Sequence, residues 1–135
     1  MSDATASEGA SATAGGGLVE GFSPEELRRL YRSLLLPRMI EETMLVLLRQ
    51  GRLSKWFSGI CQEAIATGVV TALEPDDYVL PMHRNLGVFT GRDLHLPQLF
   101  RQLLGREGGF TKGRDRTFHF GTLEKGIVGM ISHLG

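Results

Sequence analysis

Residues 78–135 carry three linked stretches: YVLPMHRNLGVF at 78–89, GFTKGRDRTFHFG at 109–121 and IVGMISHLG at 127–135. A His-Arg pair, His83 and Arg84, follows a short apolar run, and a glycine-rich cationic connector leads into a second apolar run. Arginine offers a rigid fork of donors, and glycine lets backbone approach a ligand closely, so this order describes an anion pocket beside a dry cleft. Residues 78–80 read as a short buried strand, and 127–131 as an apolar strand that should pair inside a sheet. Eight glycines fall between Gly105 and Gly135, an excess that points to a connector shaped by backbone needs rather than by side-chain packing.

Upstream of that stretch the pattern is helical. Residues 1–21 are mostly Ala, Ser, Thr and Gly, too poor in apolar area to offset their conformational entropy, and are expected to form a disordered arm. Ser23, Pro24 and Glu26 make a helix start: a cap, a proline at the first helical position and a capping-box acid three residues on. Leu27, Leu30, Tyr31, Leu34 and Leu35 form an apolar stripe, which Ile40, Met44, Leu47 and Leu48 resume after Pro37. Pro37 is expected to kink or split the helix, and Gly51 to cap it. Further helices are predicted over 62–73, where Gly68 would admit a close neighbour, and over 97–104. Residues 74–77, Glu-Pro-Asp-Asp, read as a turn between them.

Fifteen Lys and Arg balance fifteen Asp and Glu among 135 residues, so no net field draws the chain to nucleic acid or membrane. No apolar run reaches the roughly 18 residues that span a bilayer. A single cysteine excludes an internal disulfide and fits a reducing compartment. Acidic Asp3, Glu8 and Glu20 precede the first basic residue, Arg28, unlike a secretory or organellar leader, which makes the cytoplasm the expected location. The 127–131 strand has little sheet to enter, and two short strands alone are marginal, so the chain reads as the N-terminal piece of a longer one.

In their order, LPMHRNLG, the QEA of 62–64 and the FTKGRDRTFHFG and GMISHLG segments resemble the α subunit of the thiamine-diphosphate-dependent 2-oxo acid dehydrogenases. The resemblance covers 22–135. It implies an α/β fold, the N-terminal part of a thiamine-diphosphate-binding domain with helices on a mostly parallel sheet. It also implies oxidative decarboxylation of a 2-oxo acid with acyl transfer to lipoamide. The partners implied are a β subunit or fused β half, a lipoyl-bearing acyltransferase core and the 2-oxo acid itself.

The resemblance assigns roles by position. His83 and Arg84 would contact the cofactor diphosphate; taken without their neighbours they read sooner as a surface Arg beside a half-buried His, and the flanking LPMHRNLG reverses that preference. The backbone at Ser132 and Leu134 would hydrogen-bond the aminopyrimidine ring, with the Leu134 side chain favouring the bent cofactor; the plain alternative is a buried strand end. His133 reads equally as a residue facing the active site and as one in the core or an interface. Trp56 and Phe57 would wall the substrate pocket, which favours a branched-chain acid such as 3-methyl-2-oxobutanoate over pyruvate, or else they cover a core edge. Cys61 stands where the family has glycine; if that position needs positive φ, Cys costs about 1–2 kcal/mol.

The connector carries Lys112, Arg114 and Arg116 among aromatics, a pattern shared with single-strand binders, but Asp115 interrupts it and the chain is neutral. The resemblance makes it a loop near the mouth of the lipoyl channel, with His119 a structural hydrogen-bonding residue. The resemblance also implies magnesium with the cofactor, its ligands and a downstream catalytic His expected beyond residue 135, and the glutamate that activates the aminopyrimidine on the β subunit or fused β half. A reading of another class is a non-catalytic helical interaction module, built on the apolar stripe of 23–50.

Overall fold

The structure, a computed structural model, describes residues 21–54, 56–115 and 118–129. Ser23 starts the first helix, α1 (Pro24–Arg49), with a complete capping box. Its hydroxyl accepts from the Glu26 amide at 3.2 Å, and the Glu26 carboxylate accepts from the Ser23 amide at 2.7 Å. Two otherwise orphaned donors are satisfied, an arrangement worth about 1 kcal/mol over an alanine cap. At the other end Gly51 adopts φ +68°. There the Gly51 amide bonds Leu48 O and the Arg52 amide bonds Leu47 O, both at 2.9 Å, which closes the last turn as the expected glycine cap should.

The split expected at Pro37 does not occur: α1 runs through it. Proline has no amide to give the carbonyl of Ser33 one turn back. Thr67, on the second helix, α2 (Glu63–Ala72), donates its hydroxyl to Ser33 O at 3.2 Å in its place. Pro37 and Thr67 are both buried at this contact. A neighbouring helix therefore supplies the donor that the sequence of α1 lacks.

A short helix that the sequence pattern did not suggest, α3 (Leu86–Gly91), begins directly after Arg84 and Asn85 and is almost wholly buried. It lies on α2 through two glycines one turn apart. A Cβ on Gly87 would stand 2.7 Å from Ala66 Cβ, and one on Gly91 would stand 3.0 Å from Val70 Cγ1. These two, rather than Gly68, make the close approach; Gly68 faces open space. Helices α1, α2 and α3 pack against one another. The fourth helix, α4 (Leu96–Leu103), turns Leu99, Gln102 and Leu103 inward. Around Phe89 the core gathers Ile40, Met44, Leu86, Leu99, Leu103 and Ile127 with Phe118 and Phe120. Phe89 sits 5.7 Å from Phe118 and 5.0 Å from Phe120, and Phe110 stacks on Phe120 at 4.2 Å. Each such ring contributes about 1.5–3 kcal/mol when fully buried. The connector's aromatics are thus core residues, not a platform for bases.

Among the described residues the secondary structure is helical, and the expected sheet is reduced to two isolated bridges. Ile127, fully buried, pairs with Val79 in parallel and with Thr122 in antiparallel. The Val79 amide donates to Gly126 O at 2.8 Å, and the Val128 amide to Val79 O at 2.9 Å. Residues 78–80 are not the buried strand expected of them. Alternation sends Val79 to the core, while Tyr78 and Leu80, 64% and 57% exposed, share the other face, which no described layer covers. The 74–77 turn forms as expected, and Arg92 binds the carbonyls of Glu74, Pro75 and Asp77 at 3.1–3.3 Å. The expected arm lies, up to residue 20, outside the described residues.

Candidate functional site

His83 and Arg84 lie in the short loop between the Val79 bridge and α3. The loop is closed by the Asn85 amide on Met82 O at 3.0 Å and the Met82 amide on Asn85 Oδ1 at 2.9 Å. Phe57 covers the pair. Its ring centroid is 4.4 Å from that of His83, and the Arg84 guanidinium carbon stands 6.0 Å from the Phe57 ring. Phe57 is itself 60% exposed, so much of it remains open to solvent. His119 also meets His83, edge-on at 6.1 Å. Three segments far apart in sequence thus converge on His83.

Electrostatically the site suits an anion. Burial, then the charge of Arg84 and then that of His119, hold the His83 imidazole below the ordinary histidine range. The Arg84 Nε is buried and makes no hydrogen bond among the described residues. A buried guanidinium donor in this state calls for an acceptor. A phosphate oxygen is such an acceptor, and the residues present therefore fit the diphosphate of a cofactor.

The walls of the site are held from behind by two buried polar side chains that sequence reasoning did not single out. Glu41, 2% exposed on α1, accepts from Trp56 Nε1 at 3.2 Å, from the Gly59 amide at 2.8 Å and from the Ser58 hydroxyl. The strap of residues 56–59 is fastened to it. Gly59 in turn rests on the Arg84 backbone, where an added Cβ would fall 2.2 Å from Arg84 O. Next along, Arg38 pairs with Glu63 at 2.6 Å and holds the Glu63 carboxyl below the usual carboxylate range. Between these two anchors Cys61 takes φ +73°, the left-handed conformation in which glycine carries no penalty.

The second buried anchor is Gln102 of α4, fully enclosed. It donates to Asp115 O at 3.0 Å and accepts from the Thr111 amide at 2.9 Å. Asp115 then places its Oδ2 3.2 Å from His119 Nδ1, the hydrogen-bonding role expected of His119. The signal for Glu41 was present in the sequence: it occupies the buried α1 stripe with Pro37, Ile40 and Met44, where an acid needs a partner. Gln102 gives a similar signal between Leu99 and Leu103.

Of the residues assigned from sequence, Phe57, His83 and Arg84 are brought together. Trp56 is partly buried against the core and bound to Glu41, and no described contact joins it to His83 or Arg84. Ser132, His133 and Leu134 lie outside the described residues. Among the described residues no group of three or more His, Cys, Asp or Glu side chains could hold a metal ion, and no helix is long and apolar enough to cross a membrane.

Residues 31–135 match the dehydrogenase E1 component family. Similar proteins include the mitochondrial 2-oxoisovalerate dehydrogenase subunit alpha of Dictyostelium discoideum, 32% identical over 75% of this chain and 23% of its own length. The 2-oxoisovalerate dehydrogenase subunit alpha of Pseudomonas aeruginosa is 32% identical over 84% of this chain and 28% of its own length. The pyruvate dehydrogenase E1 component subunit alpha of Rhizobium meliloti is 32% identical over 97% of this chain and 40% of its own length. The chain therefore spans well under half the length of each of these relatives. With the family match covering most of its residues, the chain belongs to the dehydrogenase E1 component family.

Proposed function

We propose that this chain supplies the diphosphate-binding part of an E1 α subunit that oxidatively decarboxylates a 2-oxo acid and passes the acyl group to lipoamide. The observation that carries the reading is the buried, unsatisfied Nε of Arg84 beside His83, both roofed by Phe57. Arg84 would grip the diphosphate through charge-assisted hydrogen bonds, and His83 would add a donor. Bound there, thiamine diphosphate would supply the electron sink that decarboxylation of a 2-oxo acid requires. Phe57 would exclude water from the phosphates, and Gly59 and Glu41 would hold that roof in place. Ser132 and Leu134 would meet the aminopyrimidine ring, and magnesium would be held by ligands beyond residue 135. A β subunit or fused β half and a lipoyl-bearing acyltransferase would complete the assembly. The Val79–Ile127–Thr122 bridges would be the edge of the mostly parallel sheet of an α/β domain.

The substrate proposed is a branched-chain acid such as 3-methyl-2-oxobutanoate, since an exposed Phe57 beside the site, with Trp56 behind it, makes an apolar wall. Pyruvate is the second reading, favoured by the similarity to the Rhizobium meliloti subunit along nearly the whole chain. The ratio of kcat/KM for the two acids in the full-length assembled enzyme separates them. One methylene in an apolar pocket is worth only about 1–3 kcal/mol, so a modest preference suffices. The site itself is tested with Arg84→Ala. Loss of a charge-assisted hydrogen bond of about 1.5–3 kcal/mol should weaken thiamine diphosphate binding roughly 10- to 150-fold by titration calorimetry with magnesium present. Arg84→Lys, a point charge in place of a fork, should restore part of it. Unchanged affinity in Arg84→Ala would remove the site.

A further inference from the structure

Glu41 touches neither His83 nor the Arg84 side chain in any described contact, yet its three hydrogen bonds among the described residues end on the strap that carries Phe57. Every partner is a donor: an indole N–H, a hydroxyl and a backbone amide. An ionised carboxylate, acceptor only, matches that set fully, and a buried one needs it to offset desolvation. Its two oxygens divide the task. Oε2 takes Trp56 and Ser58, on either side of Phe57, while Oε1 takes Gly59, whose backbone rests on Arg84. Fixing residues 56, 58 and 59 leaves the Phe57 backbone little freedom, and its ring is thereby set against His83 and Arg84.

We propose that Glu41 is a positioning residue for the anion site, acting through Phe57 and Gly59 on the geometry of His83 and Arg84. The inference rests on the diphosphate reading above. Amide substitution discriminates best: in Glu41→Gln the shape stays, but the NH2 group faces donors on one side. The strap then loses at least one charged hydrogen bond and gains a donor-donor clash.

The experiment uses the full-length subunit assembled with its partner, with thiamine diphosphate and magnesium as probe. Glu41→Gln should bind the cofactor about tenfold more weakly by calorimetry, the equivalent of one charged hydrogen bond. Its effect should be non-additive with Phe57→Ala, since both act by removing the same roof. The Trp56 emission, taken as the difference from a Trp56→Phe enzyme, should shift because the indole loses its carboxylate partner. Wild-type affinity in Glu41→Gln alongside weakened binding in Arg84→Ala would overturn the role of Glu41 while leaving the site intact. Wild-type affinity in both would overturn the site and this inference together. Strict additivity with Phe57→Ala would overturn the route through Phe57. Should Glu41→Gln fail to fold, Ser58→Ala and Trp56→Phe each remove one donor and keep the carboxylate. Wild-type affinity in both of these would equally overturn the proposal.

Discussion

Replacing Gly59 by alanine puts the coupling between the strap and Arg84 to a direct test. The new methyl would lie 2.2 Å from Arg84 O, 3.3 Å from Glu41 Oε1 and 3.4 Å from the Arg84 carbonyl carbon. Carbon and carbonyl oxygen ordinarily come no closer than about 3.3 Å, so something must move by about 1 Å. The clashing atom is backbone, which cannot rotate aside as a side-chain tip would. Relief therefore displaces either Arg84 or the strap, and the strap is tied down by Glu41. Overpacking of this kind costs about 1–3 kcal/mol of stability. A displacement of about 1 Å at a positioned group can cost as much as 100-fold in function. Calorimetry with thiamine diphosphate and magnesium on the full-length enzyme should show a large loss of affinity, and thermal unfolding a lowered Tm. Gly51→Ala serves as the contrast. That position meets nothing within 4 Å but has φ +68°, so the substitution should cost stability through the backbone alone and leave cofactor affinity untouched. A Gly59→Ala enzyme with wild-type affinity and Tm would refute the idea that strap and Arg84 are locked together.

Three further outcomes are expected. Cys61→Gly should stabilise the protein by about 1 kcal/mol in chemical denaturation, because Cys61 sits at φ +73° where a side chain is strained; a loss of stability would show that its side chain contributes more than the strain removes. Thr67→Val should cost about 1 kcal/mol by orphaning Ser33 O, but much less in a Pro37→Ala background, where residue 37 can donate again; equal costs in the two backgrounds would refute the exchange of donors. Since His83 is held below its ordinary pKa, the unfolded chain binds more protons than the folded one as pH falls below about 6.5, and stability is lost there. A bound diphosphate would raise that pKa, so cofactor binding near pH 6 should take up a proton, visible as a buffer-dependent calorimetric heat that disappears in His83→Asn.

What the sequence made legible was local. The Ser23 capping box and the Gly51 cap each involve residues within one turn, so their spelling carries their geometry. Cys61 belongs here too, since the resemblance located a place for glycine and the backbone there is left-handed. What stayed hidden depends on partners distant in the chain. Pro37 reads as a break until Thr67 supplies the missing donor. The close approach expected at Gly68 is made instead by Gly87 and Gly91, which let α3 lie on Ala66 and Val70 of α2. The meeting of Phe57, His83 and His119 involves three segments whose order in the chain says nothing of their separation in space. Glu41 and Gln102 needed a different question: which polar residue occupies an apolar stripe, and what binds it there.

The pairing of Ile127 has a kinetic consequence. Its antiparallel contact with Thr122 closes a short hairpin, but its parallel contact with Val79 must draw together segments separated by α3, α4 and the whole connector. Loop closure grows costlier with length, by about 0.6 kcal/mol per doubling, and nothing rewards it until the long-range contact forms. His83 follows Val79 and His119 precedes Thr122, so the same closure brings the two imidazoles together. The site is then expected to assemble late, after the helices and the hairpin. Substitutions at the His83–His119 junction should leave the folding rate nearly unchanged and express their cost as faster unfolding.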